Sequence, residues 1–424
     1  MARTPVSHNM PFSALGLSPA LVQAATAMGF SAPTPVQSAA IPAVLRGADV
    51  LGSAQTGSGK TAAFALPLLQ RLQADAQNAP RHVRALILVP TRELAAQVGE
   101  VIRSLGRGLP QPVKVAVVFG GVSINPQMMG LRGGADVVVA TPGRLLDLVE
   151  HNALRLGSVE HLVLDEADRL LDLGFAEELQ RILQLLPVRR QNLLFSATFA
   201  PAVQALAEGM LHEPVRVTVD DAPANVPAIA QRAFAVDAQR RTQLLRHLVQ
   251  EHQWSRVMVF VATQYAAEHV AEKLYKAGIF ATPFHGGLSQ GARTQVLQEF
   301  KDDRWQVVVT TDLAARGIDI AQLPAVVNYD LPRSADDYVH RIGRTGRAGE
   351  SGVAVSFVSA ATEAHFRLIE KRQHLSLPRE VVPGFEPTET APEAAPAGTG
   401  GIKGKRPSKK DKLRAAAQAA AARE

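Results

Sequence analysis

The fold is decided at residues 50–72, where the chain reads VLGSAQTGSGKTAAFALPLLQRL. An apolar start, a run of small residues and a helix-like stretch follow one another there. Small residues let successive backbone N–H groups curl around a phosphate at the N-terminus of the following helix. The order strand, loop and helix therefore predicts an α/β fold with a phosphate-binding loop. The loop comprises Ala54, Gln55, Thr56, Gly57, Ser58, Gly59, Lys60 and Thr61.

The last two residues of this loop carry specific chemistry. Lys60 is expected to reach the β- and γ-phosphates of ATP, and the Thr61 hydroxyl is expected to bind Mg²⁺. The usual pattern begins with glycine, whereas this one begins with Ala54. A chance glycine-rich turn is the alternative, and the order of the surrounding elements disfavours it.

A second motif, LVLDEAD at residues 162–168, is an apolar strand that ends in acids. Carboxylates at the C-terminal end of a strand lie where a parallel α/β sheet binds its ligands. Asp165 is expected to hold Mg²⁺ through water, and Glu166 to orient and deprotonate the attacking water. An ordinary acidic helix N-cap is the alternative, which the neighbouring phosphate loop makes weaker.

Short apolar runs recur in two series and predict buried strands of parallel sheets. The first series is Leu86–Val89, Val113–Phe119, Val137–Ala140, Leu162–Leu164 and Leu193–Phe195. The second is Val257–Val261, Ala281–Phe284, Val307–Thr310, Val326–Tyr329 and Val353–Val358. The polar, proline-containing stretch between the series reads as a linker. We therefore expect domains at residues 1–219 and 229–380, joined by residues 220–228.

The composition excludes several classes of protein. A chain of 424 residues is long enough for two cores, and 46% hydrophobic with 20% charged residues is globular. The absence of cysteine excludes disulfide scaffolds, thiolate zinc sites and thiol nucleophiles. Residues 1–12 lack the apolar core of a signal peptide, and no apolar run has the length of a membrane span. A cytoplasmic location without membrane contact is expected.

The positive charge of the chain is concentrated near its C-terminus. Residues 403–414 hold seven basic residues and one acid, which equals the net charge of +6 for the whole chain. The remainder is formally neutral, so it must bind a polyanion through placed groups. Residues 386–401 are rich in Pro, Ala, Thr and Glu without an apolar period. We therefore predict a disordered linker and basic tail over residues 381–424.

The sequence Asp-Glu-Ala-Asp at 165–168 resembles the motif that names the DEAD-box family of ATP-dependent RNA helicases, whose phosphate loop begins with Ala. The resemblance covers about residues 12–360, and residues 119–131 are similar to the bacterial RhlE group. Further motifs follow in family order: PTRELA at 90–95, GG at 120–121, TPGR at 141–144, SAT at 196–198, VFVAT at 259–263, Gln290 with Arg293, TDLAARGID at 311–319 and HRIGRTGR at 340–347.

The resemblance implies two RecA-like parallel-sheet domains in tandem, with ATP hydrolysis driving local RNA unwinding. Residues 29–37 resemble the motif that reads adenine, in which the Gln37 amide pairs with the base edge and Phe12 stacks on it. Taken alone, Gln37 is more simply a surface glutamine and Phe12 a core anchor.

The resemblance also implies that the second domain completes the ATP site. Arg344 and Arg347 are expected to act as arginine fingers on the γ-phosphate; solvated surface arginines are the alternative. Asp319 is expected to accept from the ribose hydroxyls, with Gly317 beside it. The residues expected to couple the ATP site to RNA are Ser196, Thr198 and His340. A site divided over two domains makes catalysis depend on their closure.

The remaining motifs are expected to bind the sugar–phosphate backbone of single-stranded RNA or a short duplex. Contacts to 2′-hydroxyls would distinguish RNA from DNA. Because only 5% of the residues are aromatic, base stacking is not expected to be the main source of RNA affinity. The expected RNA contacts are Thr91, Arg92, Gly121, Thr141, Gly143 and Arg144 in the first domain and Thr263, Arg293 and Thr311 in the second.

Two other functions use the same motifs. An ATP-gated RNA clamp would use the bound state as its product, and a DNA translocase would share the two-domain architecture. A monomer is expected to suffice for catalysis. Proteins of ribosome assembly or RNA degradation are the candidate protein partners.

Overall fold

The chain forms two α/β domains, each built on its own parallel sheet. The structure is a computed structural model that describes residues 10–53, 58–74, 81–218, 229–315, 318, 320, 323–346 and 352–389. Within these ranges, none of the helices combines the length and apolar character needed to cross a membrane. The predicted linker at 220–228 lies outside the described residues.

The first domain contains a seven-stranded parallel sheet in the order β3-β4-β2-β5-β6-β1-β7. Its strands are β1 Val50–Ser53, β2 Ala85–Leu88, β3 Val115–Val118, β4 Val137–Ala140, β5 His161–Leu164, β6 Gln191–Ser196 and β7 Val215–Thr218. After a 3₁₀ turn at Phe12–Leu15, its helices are α1 Pro19–Ala27, α2 Pro35–Leu45, α3 Lys60–Ala74, α4 Arg92–Gly106, α5 Asn125–Gly130, α6 Pro142–Glu150, α7 Ala167–Asp172, α8 Ala176–Leu185 and α9 Pro201–Met210.

The second domain repeats this architecture with the strand order β10-β11-β9-β12-β13-β8-β14. Its strands are β8 Ala230–Ala235, β9 Val257–Phe260, β10 Ala281–Phe284, β11 Val307–Thr310, β12 Ala325–Asn328, β13 Val353–Val358 and β14 Arg379–Glu380. After a 3₁₀ turn at Ala238–Arg240, its helices are α10 Arg241–Glu251, α11 Gln264–Lys276, α12 Gln290–Lys301, α13 Asp312–Ala315, α14 Ala335–Ile342 and α15 Glu363–Gln373.

The apolar runs are strands because both faces of each sheet are covered. In β2, Ala85 and Ile87 pack into one core cluster, whereas Leu86 and Leu88 pack into the cluster on the opposite face. Burying one such leucine or isoleucine contributes about 1.5–3 kcal/mol. The predicted parallel α/β fold is therefore confirmed.

The strands that the sequence did not reveal lack a continuous apolar run. Strand β7 reads VRVT, and its two polar side chains are exposed. Strand β8 reads AQRAFA and is half-buried over much of its length, while β14 contains only two residues. Their positions come from pairing with a neighbouring strand, which local sequence does not encode.

The end of the described chain is fixed to the second domain. The Asp237 carboxylate accepts hydrogen bonds from the backbone N–H groups of Thr388 at 2.9 Å and Glu389 at 3.0 Å. Arg379 forms ion pairs with Glu363 at 3.0 Å and Glu370 at 2.8 Å. The prediction of disorder from residue 381 onward is therefore wrong for residues 381–389. The side-chain contacts that hold this segment against the domain could not be predicted from its polar composition. Residues 390–424 lie outside the described part of the chain.

Parallel strands bring their C-terminal ends to one edge of each sheet. In the first domain, β1, β5 and β6 lead into the phosphate loop, Asp165 and Ser196. In the second, β9 and β11 lead to Thr263 and Thr311. The topology thus collects the motifs that are dispersed along the sequence.

Candidate functional site

Lys60 and Asp165 form the buried centre of the site in the first domain. Lys60 begins α3 and is 6% exposed, while Asp165 directly follows β5 and is 3% exposed. Burial raises the pKa of Asp165 to about 6, and the nearby Lys60 charge opposes this shift. Lys60 is thus buried rather than solvent-facing, and its ammonium charge acts on this carboxylate. Thr61 is half-buried at the next helical position.

Gly59, near the end of the phosphate loop, is held against α2 by Gln37. Thr34 and Gln37 form a capping box, in which the Gln37 Oε1 accepts from the Thr34 N–H at 3.0 Å. The Gln37 Nε2 donates to the Gly59 carbonyl at 3.1 Å. Gly59 has a φ of +88°, and a Cβ there would lie 2.4 Å from the Gln37 Nε2. Glycine is therefore required for this close approach.

The burial of Gln37 and Phe12 bears on whether each is a surface residue, a core residue or an adenine contact. Gln37 is 3% exposed, so it is not a surface glutamine. Each end of its amide makes one hydrogen bond, which leaves a second Nε2 hydrogen and a second Oε1 lone pair for adenine. The reading of adenine stays a prediction. Phe12 is 4% exposed within the main apolar cluster of this domain. It is placed as a core anchor rather than as an open stacking surface.

The backbone of Glu166 is strained and its side chain is held in place. Its φ of 53° and ψ of 53° lie in the left-handed region, which is uncommon for a residue with a Cβ. The carboxylate is buried and accepts a hydrogen bond from Arg169 Nη1 at 3.2 Å. This pairing orients the carboxylate beside Asp165, where it can act on a water molecule.

Asp168 connects the acidic motif to the end of β6. Its Oδ2 accepts from both the backbone N–H and the hydroxyl of Thr198, each at 3.0 Å. The Ser196 hydroxyl accepts from the Asp168 N–H at 3.3 Å and donates to the Thr198 carbonyl at 2.7 Å. The two motifs therefore form one network, in which a shift of either displaces the other.

His340 brings the second domain to this network. It lines a cavity of about 290 Å³ together with Asp168, Arg169 and Thr198 of the first domain. Burial and the charge of Arg169 lower the pKa of His340 to about 4, against the opposing effect of Asp168. The imidazole is therefore neutral near pH 7 and can both donate and accept a hydrogen bond.

Arg344 is buried in the second domain, with 3% of its surface exposed. Its Nη1 donates to the carbonyl of Ile318, so it is not a solvated surface arginine. Among the other predicted ATP-site residues, those outside the described part of the chain are Ala54, Gln55, Thr56, Gly57, Gly317, Asp319 and Arg347.

Arg341 is a residue whose importance the sequence interpretation missed. Its guanidinium binds both carboxylate oxygens of Asp312, at 2.6 and 2.7 Å. It also donates to Asn328 Oδ1 and to the Asp330 carbonyl. Arg341 thus fixes the segment that carries Arg344. Arg341 belongs to the quoted HRIGRTGR motif, and this was the sequence feature that could have pointed to it.

The expected RNA contacts of the first domain gather at the ends of β2, β3 and β4. Arg92 lies against Gly121, where a Cβ would stand 1.6 Å from the guanidinium. The Thr91 hydroxyl caps α4, and the Thr141 hydroxyl accepts from the Gly120 N–H at 3.3 Å. These contacts define a rigid surface with a close backbone approach at Gly121.

Two further expected RNA contacts, Gly143 and Arg144, lie in the first turn of α6. Apart from its own stretch of helix backbone, none of the described residues has a heavy atom within 4 Å of where a Gly143 Cβ would stand, so a ligand can approach this backbone closely. Arg144 donates to the Val122 carbonyl at 2.7 Å, while its buried Nη1 has no partner within the described structure.

Arg293 pairs across the two domains. Its Nη2 lies 2.9 Å from Glu93 Oε1 of the first domain, and both side chains are largely buried. Gln290 also reaches Glu93, at 3.5 Å. The sequence interpretation assigned Arg293 only to RNA and missed Glu93, although Glu93 belongs to the quoted PTRELA motif.

The other two expected RNA contacts of the second domain remain more accessible. Thr263 is exposed and caps α11, with its hydroxyl accepting from the Ala266 N–H at 3.0 Å. Thr311 is half-buried at the end of β11.

A carboxylate and a hydroxyl of the first domain could help to hold a nucleotide-bound Mg²⁺. Among the described residues, no group of three or more His, Asp or Glu side chains is arranged to hold a metal. Mg²⁺ commonly binds through one or two protein groups, phosphates and water. Asp165 and Thr61 supply such a set beside the phosphate loop.

Comparison with known proteins identifies the family. Residues 34–206 match the DEAD/DEAH box helicase family, and residues 240–349 match the helicase conserved C-terminal domain. The DEAD-box ATP-dependent RNA helicase CshA of Bacillus cereus is 39% identical over 375 residues, covering 88% of this chain and 70% of CshA. The chain belongs to the DEAD-box family of RNA helicases. It is accordingly an RNA-binding enzyme that couples ATP hydrolysis to local unwinding and remodelling of RNA.

Two solved DEAD-box structures differ in their overall likeness to this one. Dbp5 of Saccharomyces cerevisiae bound to RNA and ADP BeF₃ has a TM-score of 0.78 at 32% identity, covering 88% of this chain and 96% of that one. A Dbp5 variant bound to Nup159, Gle1, IP6 and ADP has a TM-score of 0.61 at 31% identity, covering 87% and 96%.

Proposed function

We propose that this DEAD-box helicase hydrolyses ATP in the cleft between its two domains, with the domains in the arrangement described here. The observation that carries the proposal is the assembly of Asp168, Arg169 and Thr198 with His340 around one cavity. The greater likeness to Dbp5 bound to RNA and ADP BeF₃ supports the interpretation of this arrangement as the closed form.

In the first domain, Lys60 binds the β- and γ-phosphates, and Asp165 and Thr61 hold Mg²⁺. Bound by these two residues and the phosphates, Mg²⁺ would supply neutralisation of phosphate charge. Glu166 orients the attacking water and accepts its proton, as its buried position beside Asp165 allows. Gln37 senses the nucleotide through its bond to Gly59 and reads adenine with the remaining donor and acceptor of its amide.

In the second domain, Arg344 and Arg347 stabilise the charge that develops on the γ-phosphate, and Asp319 with Gly317 binds the ribose. Neutral His340 and the Asp168–Thr198 network transmit closure between the ATP and RNA sites. The Glu93–Arg293 pair stabilises the closed form beside the RNA contacts. Single-stranded RNA binds along both domains, and the closed grip displaces the complementary strand. The proposed place of this activity is the cytoplasm.

Parallel measurements of ATP turnover and strand separation test this mechanism. Turnover is expected to rise with RNA and to rise less with a DNA of matched sequence. Lys60→Ala should abolish it, because the phosphates lose their charge partner. Lys114→Ala is the matched control, since the Lys114 ammonium group donates to the Arg132 carbonyl on the surface of the same domain. Normal turnover in Lys60→Ala would remove the assignment of the phosphate loop.

A further inference from the structure

An aromatic pair stands exposed on the first turns of α11. Tyr265 is 77% exposed, although tyrosine normally buries much of its ring. Its ring lies parallel to the His269 imidazole, with 5.7 Å between the ring centroids and 11° between the planes. Residues i and i+4 of a helix lie one above the other, so the two rings stack on each other and the outer face of the exposed Tyr265 ring can continue the stack.

The neighbouring side of the same turns holds α11 against the loop before α12. The Gln264 Oε1 would stand 2.8 Å from a Cβ at Gly287, and Glu268 pairs with His285 at 2.7 Å. These contacts fix the orientation of α11. Tyr265 and His269 lie one position further around the helix, which leaves both rings toward solvent.

This surface is continuous with the proposed RNA path. Thr263, an expected RNA contact, is the N-cap of α11 and lies two residues before Tyr265. The loop that Gln264 contacts ends at Ser289, which is the N-cap of α12. Helix α12 carries Arg293. A strand bound at Thr263 therefore passes the start of α11 with its bases within reach of the rings.

We propose that the Tyr265–His269 pair is a stacking platform for one nucleobase of the single-stranded RNA that runs past Thr263. The proposal rests on the proposed RNA path and adds a contact to a base, whereas the other expected contacts are to sugar and phosphate. Stacking accepts any base because every base has a π-face. The platform would strengthen RNA binding without making it sequence-specific.

The test compares Tyr265→Ala, Tyr265→Phe and Tyr275→Ala in the full chain. Tyr275 is the matched control because it lies at the other end of α11, at the opposite edge of the sheet, and is 57% exposed. Binding of fluorescent single-stranded RNA is measured with a non-hydrolysable ATP analogue at two salt concentrations. Thermal unfolding of each variant checks that the fold is retained.

Tyr265→Ala is expected to weaken RNA binding about 5-fold or more, the lower end of alanine substitutions at stacking sites. Tyr265→Phe and Tyr275→Ala should bind like the original protein. The ratio between original and Tyr265→Ala affinities should be nearly the same at both salt concentrations, because stacking releases no counterions.

Abasic RNA locates the base. At one position of the strand, removing the base should weaken binding to the original protein and have no further effect on Tyr265→Ala. Equal binding by Tyr265→Ala and the original protein, or an equal loss in Tyr275→Ala, would overturn the platform. The proposed function fails by a different result, namely ATP turnover in the original protein that does not respond to RNA.

Discussion

The two domains share one sheet topology but organise their functional groups differently. In the first domain the groups bind one another: Gln37 holds Gly59, Arg169 holds Glu166, and Thr198 holds Asp168. In the second domain, Arg341 is fixed by Asp312, whereas Arg293 and His340 meet residues of the first domain.

This difference separates groups held within one domain from groups that depend on the facing domain. The contacts that hold the carboxylates and the lysine lie within the first domain, so we expect these groups to be oriented before closure. The second domain contributes groups whose effect depends on facing the first. Substitutions in the first domain should therefore change hydrolysis itself, whereas substitutions at the contacts between domains should change how RNA controls it.

The largest effect is expected from Arg344→Lys, which tests whether the second domain also takes part in the chemistry. Lysine keeps the charge but loses the planar fork, and arginine fingers contribute about 10³-fold or more in rate. RNA-saturated ATP turnover should fall by about that factor while RNA binding is retained. Arg333→Lys, on the surface of the same domain, is the control. A decrease in turnover of less than about tenfold would indicate that the first domain alone performs the catalysis.

Glu166→Gln should lower RNA-saturated turnover by about 10²–10⁴-fold, the usual contribution of a general base. ATP and RNA should still bind because glutamine keeps the shape of the side chain. The RNA dissociation rate in ATP should therefore decrease. Glu160→Gln is the control, since Glu160 pairs with Arg84 at the surface. Unchanged RNA dissociation would contradict the assignment of Glu166 as the base.

Gln37→Ala should reduce the preference for ATP over GTP by about 5- to 150-fold, if two bonds to adenine are worth about 1–3 kcal/mol. Gln70→Ala is the matched control, because Gln70 also bridges two backbone groups, Ser18 N–H and the Gly16 carbonyl. Competition between the two nucleotides measures the preference. Equal use of ATP and GTP by the original protein would refute the adenine contact.

The Glu93–Arg293 ion pair allows the contact between the two domains to be tested separately from the chemistry. Glu93→Arg alone places like charges together, and RNA-saturated turnover should be reached only at about tenfold higher RNA concentration or more. Combining it with Arg293→Glu should restore much of the loss, because the pair is re-formed with the charges exchanged.

The control exchange is Glu150→Arg with Arg181→Glu, an exposed pair within the first domain that should have little effect. RNA titrations of ATP turnover measure the difference. If the double exchange at 93 and 293 recovers nothing, Arg293 acts on RNA and not through Glu93.

The smallest effect is expected from removing residues 403–424. The RNA concentration for half-maximal turnover should rise a few-fold at low salt, while saturated turnover stays near its original value. Seven cations set a limit of about −5 on the log–log salt slope for a single strand. A protein lacking only residues 415–424 is the control. Superimposable titrations at two salt concentrations would leave the tail a role in solubility alone.

Much of this protein follows from its sequence because the decisive interactions are local. Strands such as Val137–Ala140 and Val307–Thr310 are continuous apolar runs, and their limits agree with the structure. The acids after β5 form a short motif whose chemistry is carried by neighbouring residues.

The tertiary structure decided what depends on residues far apart in the chain. Glu93 and Arg293 are separated by 200 positions, and their ion pair exists only because two sheets present their edges to each other. Burial of Lys60 beside Asp165, the place of Phe12 in the core and the anchoring of Thr388 by Asp237 also require a folded chain. Burial and distant pairing are properties of the packed molecule, and local sequence patterns record only which residues are available for them.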